Sequence, residues 1–150
     1  MHVIKPLTPE QLRTGLFAYS SPDGALDARF NRGTGRVDAT GKGFWPPEVA
    51  ADYFGNWAAM VGAIHDAGKA LRAVVDLSKT AIQALDVAGL IGVCGALHGG
   101  DDRVALVVPS ALMTLQMRRV LDPTCHRFVT SHSAAEVWIA EESRRLRAAA

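Results

Sequence analysis

The sequence predicts an α/β fold, in which an antiparallel hairpin opens a mixed sheet of about five strands and about four helices cover it. Two observations carry this prediction. Short β-branched runs alternate along the chain with longer segments whose apolar residues recur every three or four positions, as strands and covering helices do. Two alternating segments on either side of a glycine-rich turn precede them, which is the pattern of a hairpin.

The hairpin is predicted from the segments 25–30 and 36–45, with its turn at Gly33-Thr34-Gly35. Residues 1–24 form an N-terminal lead-in to this hairpin. Within the lead-in, a threonine followed by proline and glutamine has the form of a capping box and predicts a short helix near 9–15.

The rest of the chain is predicted to alternate helices and strands. Between 50 and 64 an apolar stripe predicts a helix of about five turns, which begins after Pro46-Pro47 and is closed by Gly68. Strands joined through helices in this way run parallel. The further segments are a strand at 71–76, a helix at 87–97, a strand at 103–108, a helix capped by Ser110, a strand at 126–130 and a helix capped by Ser133.

Length and composition narrow the class of protein. A chain of 150 residues fits one domain, 1–150, with a sizeable core. Its net charge of +1, without a basic patch, argues against a nucleic-acid partner. The longest apolar stretch, 84–97, is too short for stable membrane insertion, and the first residues lack a signal-peptide pattern. Cys94 and Cys125 have no metal or disulfide spacing, so we expect reduced thiols in a cytoplasmic protein.

Polar residues follow the predicted strands where ligands bind in α/β sheets, beyond the carboxyl ends of the strands. Asp76, Ser78 and Lys79 come after one strand and match no capping pattern, so we identify them as candidate binding residues. The hydroxyl-rich loops after these strands can meet at helix N-termini, where free backbone N–H groups favour anions, and this leaves a small anionic ligand open. The simpler interpretation of Ser110 and Ser133 is that they only cap helices.

No pattern of catalytic residues is found. Ser78 or Ser110 could join Asp76 and His132 in a nucleophilic triad, but no nucleophile elbow surrounds either serine. The histidines lack metal-ligand spacing, and we interpret His98, His126 and His132 as solvated or core side chains. The sequence therefore predicts a protein that is not an enzyme and has no metal or cofactor.

The order of the predicted elements, the strand end Val75-Asp76-Leu77-Ser78 and the run Asp86-Val87-Ala88-Gly89-Leu90 resemble the STAS domain. This family includes bacterial anti-sigma-factor antagonists and the cytoplasmic tails of sulfate transporters. Across 25–140 the chain is most similar to a divergent, sporulation-antagonist-like branch, which shares a likeness with lipid-transfer CRAL/TRIO domains. The resemblance implies a STAS-like α/β sandwich and a regulatory role.

The family motif reads Asp-Ser-Ser-Gly-Leu, and a partner kinase phosphorylates its first serine. In this chain Asp86, Gly89 and Leu90 match the motif, whereas Val87 and Ala88 replace both serines. The resemblance therefore implies a module that lacks the usual phosphoacceptor.

Three functions follow from these patterns. The leading prediction is a non-catalytic cytoplasmic regulatory module, which binds an unidentified protein through the loop 77–86 and the helix that begins near Asp86. The alternative is a domain that binds a lipid or nucleotide in an apolar pocket between the 46–67 helix and the sheet. The third is an enzyme of unknown type. The sequence also leaves open whether the chain forms a homodimer. The predicted partner-binding residues are Asp76, Ser78, Lys79, Asp86, Gly89 and Leu90.

Overall fold

A computed structural model of the chain describes Glu10 and the residues 18–31 and 35–150. Of the predicted helix near 9–15 only Glu10 is described, and of the turn at 33–35 only Gly35, so both predictions otherwise lie outside the described residues. The strands are β1 (Ala18–Ser20), β2 (Leu26–Asn31), β3 (Arg36–Gly43), β4 (Arg72–Thr80), β5 (Arg103–Val107) and β6 (His126–Val129). The helices are α1 (Pro47–Asp66), α2 (Leu85–Gly95), α3 (Ala111–Arg118) and α4 (His132–Ala149).

The six strands form one mixed sheet, and their order in space is their order in the chain. The first three strands pair antiparallel, and β3 to β6 pair parallel. The prediction of an α/β fold opened by a hairpin is therefore confirmed. The sheet has one strand more than predicted, because β1 lies within the expected lead-in 1–24 and pairs with β2. Tyr19 of β1 is buried in the core.

Helices cover the two faces of the sheet unequally. The side chains of α1, α2 and α3 share the larger core with residues such as Val104 and Leu106 of β5. On the opposite face Ala105 and Val107 of the same strand pack against α4. This division follows from the strand alternation, which points successive side chains to opposite faces.

The longest helix, α1, packs through residues spaced three or four apart, as its apolar stripe predicts. Tyr53 also donates its hydroxyl to the carbonyl oxygen of Asp27 at 2.7 Å, which ties α1 to β2. Trp45 is buried ahead of the helix, and Gly68 closes the helix with a positive φ of 74°. The residues of α1 that are buried are Ala50, Tyr53, Trp57, Met60 and Val61.

Most predicted core positions are in the core, although some are only half-buried. Val61 and Val107 are buried, and so is Trp57. Val75 and Leu90 pack against the larger core while keeping part of their surface exposed. Trp138 lies against the smaller core in the same way.

Two predicted boundaries are wrong. The residues 77–80 were expected in a loop, but β4 continues to Thr80, because pairing with β3 resumes beyond a register shift. The last helix is capped by Ser131, whose hydroxyl accepts the N–H of Ala134 at 3.1 Å, and Ser133 lies inside the first turn. Ser110 caps α3 as predicted, by accepting the N–H of Met113 at 3.1 Å.

Candidate functional site

The predicted partner-binding residues fall into two groups on two elements of the fold. Asp76, Ser78 and Lys79 belong to the last part of β4. Asp76 is two residues after Val74 in the strand, so its side chain lies on the same face of the sheet as Val74, which packs against α4. Asp86, Gly89 and Leu90 instead belong to α2, which packs on the other face of the sheet. The six residues therefore lie on two elements, the end of β4 and α2.

The β4 group is held by local hydrogen bonds. The carboxylate of Asp76 accepts the backbone N–H of Ser78 at 2.9 Å. Burial raises the pKa of Asp76, but hydrogen bonds from Ser78 and the charges of His132 and Lys79 lower it more, so it lies below its ordinary value. Asp76 is therefore ionised at neutral pH, and the groups that stabilise its charge are Ser78, Lys79 and His132.

The residues of the proposed triad do not form a nucleophile–base–acid chain. Nε2 of His132 lies 3.0 Å from a carboxylate oxygen of Glu136, one helical turn away. The hydroxyl of Ser110 caps α3, and Ser78 is hydrogen-bonded to Asp76 through its backbone. Within the described part of the chain, no group of three or more His, Cys, Asp and Glu side chains could hold a metal ion.

The second group lies on a helix that is apolar on both of its faces. Toward the core, α2 buries Val87, Ala88, Ile91, Cys94 and Gly95. Toward solvent it presents Asp86, the adjacent pair Gly89 and Leu90, and Val93, so that three or four positions separate Asp86 from the pair and the pair from Val93. Leu85 is 88% exposed and Val93 is 72% exposed. We call the residues Leu85, Asp86, Gly89, Leu90, Val93 and Leu97 the α2 surface.

Further exposed apolar residues lie beside the start of α2. The side chain of Gln116 on α3 donates to the carbonyl oxygen of Gln83 at 3.0 Å, which holds α3 next to the segment before α2. Gln83 also accepts the backbone N–H of Trp45 at 2.9 Å. The two contacts bring α3 and the segments that follow β3 and β4 together. Their exposed apolar side chains are Phe44, Ile82, Leu112 and Leu115.

Sequence patterns did not indicate a row of hydrogen-bonded rings beneath α1 and α2. Nε1 of Trp57 lies 2.9 Å from Nε2 of His98, and Nδ1 of His98 lies 2.8 Å from Nε2 of His126. Nδ1 of His126 lies 2.8 Å from the backbone oxygen of Asp122. We call this row the imidazole relay. Both histidines are buried, which agrees with a core interpretation, whereas His132 is exposed.

A cavity of about 70 Å³ adjoins the imidazole relay between the helices and the sheet. Apart from the relay, its walls are mostly apolar, with residues such as Leu26, Ile91 and Leu106. Pockets for drug-sized ligands begin at about 300 Å³. The predicted lipid or nucleotide would not fit this cavity as it stands.

In comparison with known proteins, no family model, no curated protein and no solved structure matches this chain. Among the described residues no helix is both long and apolar enough to cross a membrane. Cys94 and Cys125 are buried and unlinked, as predicted.

Proposed function

We propose that this chain is a non-catalytic regulatory module that binds another protein through the α2 surface. The observation that carries the proposal is the composition of α2, Leu-Asp-Val-Ala-Gly-Leu-Ile-Gly-Val-Cys-Gly, in which Asp86 is the only charged residue. A helix that is apolar on every side is normally enclosed by other protein. One side of α2 packs in the core, and the other side has large apolar side chains in water.

The free energy of binding would come from covering these side chains. Burying a fully exposed leucine or valine is worth about 1.5–3 kcal/mol. Leu85 and Val93 are both strongly exposed, and Leu97 continues the surface beyond the helix. Contiguous apolar patches on a protein surface mark interaction sites. Phe44 and Ile82, in the segments that a hydrogen bond from Trp45 to Gln83 joins ahead of α2, are also exposed.

Asp86 defines the chemistry of the partner. It is exposed, and one of its carboxylate oxygens accepts the N–H of Val87 at 2.9 Å. A partner that covers Leu85 and Leu90 would also remove water from this carboxylate, which is costly unless a cation or donor replaces the water. The proposed partner is therefore a protein with an apolar surface and an arginine or lysine placed to meet Asp86.

The resemblance to STAS domains supports a regulatory role for this surface. The positions that match the family motif, Asp86, Gly89 and Leu90, lie on the solvent side of α2. The positions without the serines, Val87 and Ala88, are buried. A module of this kind would bind constitutively, with affinity set by apolar packing and by Asp86. The unlinked cysteines suit the reducing cytoplasm, where we place the module.

Site-specific photocrosslinking tests the proposal. A photoreactive residue at position 85 is expected to capture one protein in stoichiometric amount from the host, and the same residue at position 137 is expected to capture none. Val137 is a matched control, since it is 56% exposed on α4, on the other side of the sheet. With the captured protein purified, Leu85→Asp should weaken binding at least tenfold, and Val137→Asp should leave it unchanged.

Two results would contradict this proposal. Equal loss of binding in Leu85→Asp and Val137→Asp would show that the contact is elsewhere or nonspecific. A dimer of the purified chain that Leu85→Asp dissociates in sedimentation would show that a second copy occupies the α2 surface instead of a different protein.

A further inference from the structure

The imidazole relay has a fixed direction of hydrogen bonding. Indole nitrogen can only donate, so Nε2 of His98 accepts from Trp57 and has no proton of its own. The single proton of a neutral His98 is then on Nδ1 and is donated to Nε2 of His126. His126 in turn has its proton on Nδ1 and donates it to the carbonyl oxygen of Asp122. Every member of the row donates in the same direction.

Such a row cannot accept another proton without losing a hydrogen bond. A proton added to Nε2 of His98 would point at the N–H of Trp57. One added to Nε2 of His126 would point at the N–H of His98. In both cases two donors face each other, and the adjoining cavity has mostly apolar walls that supply no replacement acceptor.

The charges around His98 do not compensate for this loss. Burial lowers the pKa of His98 to about 4, nearby His126 and His65 lower it as well, and only Asp102 raises it. The oxygens of Asp102 already accept from the backbone N–H groups of Leu71 and Gly99 and contact the ring of His65. Tyr53 and Cys94 also line the cavity, and burial raises the pKa of both, so they stay neutral.

The surroundings of His126 lead to the same result. Burial lowers its pKa, the backbone hydrogen bond and charge of Asp122 raise it, Asp102 also raises it, and the balance lies below the ordinary value. Both histidines are thus neutral at pH 7 in the folded chain.

The relay joins parts of the fold that are far apart in the chain. Trp57 lies on α1, His98 follows the end of α2, and His126 is the first residue of β6. We propose that the imidazole relay is an acid-sensitive lock, in which uptake of one proton below neutral pH breaks the row and releases the end of α2 from α1 and β6. A consequent loss of partner affinity rests on the proposed function of the α2 surface, whereas the lock itself can be tested without a partner.

Nitrogen NMR of the wild-type imidazoles is the first test. At pH 7.5, both His98 and His126 are expected as the neutral tautomer with the proton on Nδ1. Either ring with its proton on Nε2, or a positive charge on either ring at pH 6 in the folded protein, would overturn the proposal. This measurement needs no variant and so does not depend on the folding of one.

Hydrogen exchange then measures the opening itself. With protection factors corrected for intrinsic rates, amides near the end of α2 and the start of β6 should lose up to roughly tenfold protection per pH unit below pH 6.5, as a one-proton opening requires. The amides of β3 should lose less. The double variant His98→Phe/His126→Phe should lose this pH dependence, and the controls His65→Gln and His132→Gln should keep it. Equal pH dependence in the double variant and the wild type would overturn the lock.

Discussion

The carboxylate of Asp102 accepts the backbone N–H of Leu71 at 2.6 Å, so one buried side chain joins the residues that precede two neighbouring parallel strands. The same carboxylate accepts the N–H of Gly99 at 3.0 Å and lies 2.8 Å from Nε2 of His65 on α1. Three segments therefore meet at one carboxylate at the amino end of the parallel strands.

Replacement of this carboxylate should destabilise the whole domain. Asp102→Ala leaves the buried N–H of Leu71 and the part-buried N–H of Gly99 without their acceptor, and the loss of a buried partner costs about 1–3 kcal/mol. We expect a loss of about 3 kcal/mol in the free energy of unfolding, measured by urea denaturation at pH 7. Asp101→Ala, at the exposed neighbouring position, should change this energy little. Similar losses in the two variants would mean that the hydrogen bonds of Asp102 do not stabilise the domain more than an exposed aspartate does.

Truncation of Trp57 should be among the most costly changes on α1. Trp57→Ala removes a buried aromatic ring and is expected to cost about 3–5 kcal/mol. Trp57→Phe keeps most of the ring volume but leaves Nε2 of His98 without a donor, so it should cost about 1–3 kcal/mol. Trp138→Ala provides a control. Because Trp138 is only half-buried, its substitution should lower the free energy of unfolding less than Trp57→Ala does. Thermal melts near the wild-type value for Trp57→Ala would contradict the packing of α1.

The elements of this fold could be predicted because each depends on nearby residues. The stripe from Ala50 to Ile64 defines α1, and Ser110 precedes α3 as a cap, with no information needed from distant segments. The extent of β4 could not be found in this way. Its last residues are in the strand because Lys79 and Thr80 pair with β3. The local sequence does not indicate this pairing.

The cap of α4 and the imidazole relay show the same limit. Ser133 and Glu136 have the spacing of a capping box, but Glu136 instead binds Arg36 on β3, and Ser131 caps the helix. The relay joins Trp57 to residues 41 and 69 positions further along the chain, so spacing could not indicate it. The sequence also could not predict the exposed side of α2, since an apolar segment alone predicts burial.

Two glycines should respond in opposite ways to alanine. A Cβ at Gly41 would lie 2.7 Å from the ring of Trp45 and 2.9 Å from a methyl of Leu77, in a buried part of the core. Gly41→Ala is therefore expected to cost about 1–3 kcal/mol by overpacking. Gly62 lies inside α1 with open space at its Cβ, so Gly62→Ala should stabilise by about 0.5–1 kcal/mol. Denaturation midpoints that move in the same direction for both variants would refute this contrast.

Glu142 should contribute to stability in strongly acidic solution. Hydrogen bonds from Arg145 and then Arg103 outweigh burial and lower the pKa of Glu142 to about 2. Because this pKa is depressed on folding, the stabilisation is complete above about pH 4.5 and is lost as the pH falls toward 2. Glu142→Gln should flatten the stability curve in this range, and Glu141→Gln should not. An unchanged slope in Glu142→Gln would exclude this ion-pair contribution.

Phosphorylation should play no part in partner binding. If the resemblance to the STAS family holds, the phosphate-accepting position would be Val87, which has no hydroxyl and is fully buried. Ser78, beside Lys79, is the exposed hydroxyl on β4, and it belongs to the strand and not to the α2 surface. We expect Ser78→Ala to leave partner capture unchanged, while Asp86→Ala or Leu90→Asp abolishes it. Stoichiometric phosphate within 77–90, found by peptide mapping of protein from its host, would contradict this prediction and favour regulation by phosphorylation.

The agreement between strand order and chain order has a consequence for how the chain acquires its structure. Each strand pairs only with its neighbours in the chain, so no pairing has to wait for a segment made much later. Loop closure between neighbours costs little entropy compared with distant closure, and folding rates rise as contacts become more local. Assembly can therefore proceed strand by strand from the hairpin during synthesis. The imidazole relay can form only at the end, once β6 has emerged and docked.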